Sequence, residues 1–191
     1  MLYIDKSDLF GNSEVNVLVE TASYETIIDE GKFEIRLYDK IIVASVENIS
    51  GSPFRVLFQY INGANSKNTE IDMTSPVITS EKIAMTSPVI NEKESMSFVL
   101  PSKYSMDNVP QPIDERVSIR EIPERYIATV RFGGLAWKDQ VKDQTERLLK
   151  WLQGKNIVRR SNPFLMQYNP PYVPGFLRRN EVGVEIEYKP E

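Results

Sequence analysis

The sequence predicts an α+β fold in which antiparallel strands carry two helices. Two observations lead there. Strand-like alternation fills most of the 191 residues, and the order hairpin, helix, strands occurs twice. Each half, about 23–100 and 116–188, has one helix and therefore leaves one face of its strands bare. Joining the halves into one curved, barrel-like, pseudo-symmetric sheet buries those faces and removes open edges. A single domain over residues 1–191 is expected.

In chain order, residues 15–19 read as a short strand. Residues 24–28 and 33–46 alternate through Phe33, Ile35 and Leu37 around a tight turn at 29–32, a hairpin pattern. Ser50-Gly51-Ser52-Pro53 then reads as a helix start, with a serine acceptor and a proline whose missing N–H costs nothing. Phe54, Leu57, Phe58 and Ile61 form one apolar stripe of a helix over 53–62, and Asn62-Gly63 stops it.

Next comes a repeat. Ile71-Asp72-Met73-Thr74-Ser75-Pro76-Val77-Ile78 returns twelve residues on as Ile83-Ala84-Met85-Thr86-Ser87-Pro88-Val89-Ile90. Each copy alternates like a strand, and its proline belongs at a sheet edge or at a bend out of the ladder. A four-residue loop at 79–82 would pair Ile78 with Ile83 and place Met73 opposite Pro88. Strand 96–100 and a proline-bearing linker, 101–112, follow.

The second half predicts a hairpin from 117–122 and 125–132 around Pro123-Glu124. Gly133-Gly134 break it. A helix over 138–152 follows, with Val141, Leu148 and Leu152 on one side and Gly154 as its stop, then strands at 164–168 and 182–188.

Composition narrows the chemistry. There is no cysteine and no histidine, which removes thiolate sites, the commonest general base and the usual proximal haem ligand. A net charge of −4, with only Arg159-Arg160 and Arg178-Arg179 as basic pairs, argues against nucleic acid. No apolar run approaches the roughly 20 residues of a membrane-spanning helix. The amino terminus has no signal peptide, so a cytoplasmic protein is expected.

Along nearly its whole length the chain resembles the SOUL, or haem-binding-protein, family. The residues that carry the resemblance are Tyr24-Glu25 through Arg36, the two Met-Thr-Ser-Pro-Val copies, Phe98-Val99-Leu100-Pro101-Ser102-Lys103-Tyr104 and Phe132-Gly133-Gly134. The most specific are Tyr168-Asn169-Pro170-Pro171-Tyr172 and Phe176-Leu177-Arg178-Arg179-Asn180-Glu181-Val182. The resemblance implies a distorted antiparallel β-barrel with two helices, built from duplicated halves. It also implies haem or tetrapyrrole binding in a surface cleft between the first helix and the loop of residues 170–179.

Carried over, the pocket-facing apolar residues are Phe54 and Phe58. Basic residues of animal members are replaced by Gln59 on the helix and Val173 in the loop, and an aromatic usual in the tail is replaced by Gly183. Arg55, Arg178 and Arg179 remain as partners for the carboxylates of such a ligand.

Independently of the family, Phe54 and Phe58 offer a platform one helical turn apart, and Tyr172, Val173, Phe176 and Leu177 a proline-stiffened apolar loop. A small hydrophobic ligand bound by a monomer is the leading expectation.

Each residue also has a structural alternative. The phenylalanines belong to the same stripe as the core residues Leu57 and Ile61. Arg178-Arg179 with Glu181 can form an internal ion-pair cluster, and Met73 and Met85 are expected as core filler rather than iron ligands. Two further functional readings stand beside ligand binding. One is a sensing or hydrolase-like cup with Glu181, Glu185 or Glu187 at its floor. The other is a ligand-free partner-binding scaffold.

Overall fold

The structure is a computed structural model that describes residues 20–47, 51–80, 95–169 and 172–189. Its elements are β1 (Tyr24–Glu30), β2 (Phe33–Tyr38), β3 (Ile41–Glu47), α1 (Pro53–Ile61), β4 (Thr74–Ser80), β5 (Ser95–Val99), β6 (Val117–Ile122), β7 (Arg125–Phe132), α2 (Lys138–Gly154), β8 (Val158–Arg159), β9 (Phe164–Gln167) and β10 (Asn180–Glu187). The strands form one antiparallel sheet in the order β1-β2-β7-β10-β9-β4-β5-β3-β6, with β8 on β10. Among the described residues the sheet is open, with β1 and β6 at its ends. The strand expected at 15–19 lies outside the described residues.

The first hairpin forms as expected, with Glu30 opposite Phe33. Gly31 takes a φ of 73°, which glycine adopts without a Cβ penalty, and its N–H donates to Asp29 Oδ1 at 2.9 Å. The long strand expected over 33–46 is instead two, broken at Asp39 and Lys40. β2 lies on β7, while β3 lies between β5 and β6. The second expected hairpin is not formed: β6 pairs with β3, and β7 is flanked by β2 and β10, so it has no free edge for β6. The two halves thus exchange strands, which pairs edges that two local hairpins would leave open.

The first Met-Thr-Ser-Pro-Val copy builds β4. The ladder to β5 slips between Thr74 and Val77, where Pro76 has no N–H to donate. Ile78 has Ser97 on one side and Met166 on the other, and its expected partner Ile83 lies outside the described residues. Met73 packs against the core under α1. Met85 and the rest of the second copy lie outside the described residues.

Ser52 caps α1, its hydroxyl accepting from the Arg55 N–H, and Pro53 opens the helix. α1 packs on β3, β5 and β6, and α2 on β7, β8 and β10. Each helix covers one apolar core, with Leu57, Tyr60, Ile61 and Phe98 under α1, and Leu148, Leu152, Val130 and Val184 under α2. A third core, with Tyr38, Val43, Val99, Ile127, Phe164 and Met166, fills the sheet face opposite the helices. That third core decides what lies near the candidate site. Side chains that alternate away from the helices are buried here too, rather than meeting solvent.

Candidate functional site

The outward side of α1 carries the first group of expected residues. Phe54 stacks on Phe58 with ring centroids 5.8 Å apart and meets Phe98 edge-on at 5.3 Å. The apolar stripe is divided between two environments. Leu57, Tyr60 and Ile61 are buried, Phe54 is half-buried against the core, and Phe58 is 45% exposed. Tyr60, absent from the predicted stripe, sits deep because its hydroxyl donates to Pro110 O at 2.7 Å. Burial pushes that phenol up to about 12. Arg55 and Gln59 are exposed beside the phenylalanine pair.

The second group lies in residues 172–178. Tyr172, Phe176 and Leu177 project into solvent, and Val173 is half-buried. Arg178 Nε donates to Val173 O at 2.7 Å, closing the loop on itself around a single 3-10 turn, Gly175–Leu177. The loop lies along residues 133–135, with the Gly134 N–H donating to Gly175 O at 3.0 Å.

Arg179 follows the alternative reading of the arginine pair. Its Nε and Nη2 donate to Glu181 Oε1 at 2.9 and 2.7 Å, and its guanidinium lies 4.2 Å from the Tyr168 ring centre.

Glu181 is the centre of a buried polar network that the sequence reading did not assemble. On β2, Ile35 faces the α2 core, so Arg36 faces the third core, and on β10 Glu181 faces the same way opposite to Val182. Arg36 Nη1 and Nη2 donate to the two Glu181 oxygens at 2.6 and 3.0 Å. Arg36 Nε donates to Glu34 at 2.7 Å, and the Tyr168 hydroxyl donates to Glu181 Oε2 at 2.8 Å. Arg36 also lies over the Tyr24 ring at 4.4 Å.

Burial pushes the Glu181 carboxyl up, but the Arg36 hydrogen bonds and the charges of Arg36 and Arg179 outweigh it and hold it below its ordinary value. Burial, together with neighbouring Tyr38 and Glu181, raises Tyr168, so it remains an O–H donor.

This geometry bears on the carboxylate cup. The two Glu181 oxygens already accept five hydrogen bonds against roughly four lone-pair sites, so neither is open to a substrate proton. Glu185 pairs with Arg125 at 3.0 Å and Glu187 with Arg160 at 3.2 Å. Among the described residues no group of three or more Asp or Glu side chains is placed to hold a metal ion. A cavity of about 240 Å³ lies elsewhere, walled by residues 20–23, 39–42 and 99–102 and by Thr74. None of the nine expected ligand-contact residues lines it.

The family described as SOUL heme-binding protein matches residues 19–185. Heme-binding protein 1 of Xenopus tropicalis is 29% identical over 186 residues, covering 93% of this chain and 94% of its own. Heme-binding protein 2 of Homo sapiens is 29% identical over 184 residues, covering 90% of this chain and 88% of its own. Among solved structures, the EcmrR C-terminal domain matches with a TM-score of 0.59 at 15% identity, over 87% of this chain and 99% of that one. A hydrolase from Listeria innocua matches with a TM-score of 0.55 at 9% identity, over 84% of this chain and 94% of that one. These structural likenesses speak to the fold alone. No helix among the described residues is long and apolar enough to cross a membrane.

Proposed function

The chain belongs to the SOUL heme-binding protein family, and from that premise we propose that it binds haem or a related tetrapyrrole. The ligand lies in a surface cleft between α1 and the loop of residues 172–179. The observation that carries this reading is the Phe54–Phe58 pair, whose outer ring is left uncovered on a capped, core-anchored helix. A large flat apolar ligand gains most from such a rigid aromatic face.

Arg55, exposed beside the pair, and Arg178 supply charge for the ligand's carboxylates. Arg179 contributes through Glu181, by fixing the loop's exit into β10. With no histidine or cysteine in the chain, and Met73 packed against the α1 core, the residues fit a ring held by its face and its carboxylates. The uncovered Phe58 ring favours ligand binding over a scaffold without a ligand.

The same proposal takes residues 1–191 as one duplicated domain, acting as a monomer in the cytoplasm. The strand order supports the duplication, since β2-β7-β10-β9 is answered by β6-β3-β5-β4 about the central β9–β4 pair.

Titration with haemin, followed at the Soret band, tests the ligand. A saturable shift at micromolar concentration is expected, weakened about tenfold in Phe58→Ala, whose lost ring contact is worth about 1.4 kcal/mol. No saturable shift, or full affinity in Phe58→Ala, overturns the site.

A further inference from the structure

The loops of residues 133–137 and 172–178 lie against each other where β7 ends and β10 begins. Gly134 N–H donates to Gly175 O at 3.0 Å, and Asn180 Nδ2 donates to Gly134 O at 2.9 Å. Gly175 comes so close that a Cβ there would sit 2.9 Å from Leu135 Cγ. Within the second loop, Leu177 N–H donates to Pro174 O and Arg178 N–H to Gly175 O, at 2.9 and 3.0 Å. The pair of loops is therefore a braced projection.

Its outer surface is apolar. Phe176 is 84% exposed, Tyr172 72%, Trp137 69%, Leu177 63% and Leu135 44%. Soluble monomers scatter large exposed apolar residues singly, and a cluster such as this marks a contact surface. Its charge is net positive: residues 131–139 and 172–178 contain Arg131 at the end of β7, Lys138 at the start of α2 and Arg178, against one carboxylate, Asp139, in a chain of net charge −4.

We propose that this double loop is a docking wedge for the surface of an anionic lipid bilayer. Tyr and Trp rings settle where an apolar body and a polar tip are both satisfied, at the headgroup level. Phe176 and Leu177, at the tip of the second loop, reach the acyl boundary. The three cations meet acidic headgroups. Shape separates this occupant from a folded protein partner. A stable protein interface buries about 800 Å² on each side, whereas five exposed side chains on two short, mutually hydrogen-bonded loops suit a fluid surface that closes around them. Tyr172 and Phe176 are shared with the proposed ligand cleft, so docking would bring the ligand loop to the membrane.

The test needs no ligand, so it stands or falls separately from tetrapyrrole binding. Full-length protein is floated with phosphatidylcholine–phosphatidylserine vesicles and with phosphatidylcholine alone, while tryptophan emission is followed. Trp137 is exposed, whereas Trp151 is half-buried and stacked on Phe33, so a blue shift reports on the wedge.

The proposal expects salt-sensitive binding to the acidic vesicles with a blue shift. Partition should fall at least about tenfold in Phe176→Ser/Leu177→Ser, as lost apolar burial requires. It should fall about fivefold in Lys138→Glu, on acidic vesicles only. No flotation with acidic vesicles, or undiminished binding by the double variant, overturns it. So does a vesicle-independent dimer that the double variant abolishes, which would assign the wedge to a second copy of the chain.

Discussion

Replacing Glu181 with alanine is expected to remove about 3–5 kcal/mol of folding stability, the cost of leaving a buried charge without its partner. Arg36 is as deeply buried as Glu181, and its remaining carboxylate partner, Glu34, reaches only Nε. Arg179, which also binds Glu181, is partly exposed and can turn to water. Arg36→Ala should cost a similar amount. Replacing both residues with apolar side chains of similar volume should cost much less than the sum, because no orphaned charge remains. Denaturant unfolding of the two single variants and the double variant measures this directly. Near-additive losses would mean that the pair is not the unit described.

The same network sets an acid limit. Glu181 has a folded-state pKa below the ordinary 4.5 of its unfolded form. Its contribution is fully present above that value. As pH falls below it, the unfolded chain takes up a proton first, and stability is lost until the folded carboxyl itself protonates. Thermal midpoints should therefore drop below pH 4.5 in the parent protein and drop less in Glu181→Gln.

Gly183→Phe is the second large effect, at about 3 kcal/mol, the upper end of ordinary overpacking. Gly183 lies between Phe164 on β9 and Thr129 on β7, and even a Cβ there would sit 2.8 Å from Phe164 and 2.9 Å from Met166. An aromatic residue at this position is the one the family resemblance leads one to expect. Here the Phe164 ring and the Met166 side chain occupy the space. Gly183→Phe combined with Phe164→Ala should recover more than half of the loss, because the ring volume moves from one strand to its neighbour. A double variant no more stable than Gly183→Phe alone would show that backbone freedom, and not volume, selects glycine.

These residues also show how far the sequence could be read. Gly31 in its turn, Ser52 and Pro53 at the helix start, and the Leu148/Leu152 face of α2 are local physics, legible from spacing alone. The exchange of strands between halves is not, because Asp39-Lys40 and Pro123-Glu124 look like turns whichever edge the next strand joins.

In the site, the i, i+4 spacing of Phe54 and Phe58 gave their stacking. Their division between core and solvent depends on Phe98, some forty residues away on β5. The Glu181 network was the hardest to see. Arg36 and Tyr38 occupy what alternation marks as the polar face of a strand, and that face is buried only because the third core closes it. Of the arginine pair, Arg179 took the ion-pair role that its nearness to Glu181 made available.

The central claim is that a tetrapyrrole is held by its face and its carboxylates, in a chain with no histidine or cysteine to ligate iron. Side-by-side titration with haemin and metal-free protoporphyrin IX tests it most directly. The two should bind with affinities within about threefold of each other, since a difference of about 0.7 kcal/mol is far below what an iron–protein bond would contribute. Haemin binding tightly while protoporphyrin IX fails to bind, or neither binding saturably, would contradict it.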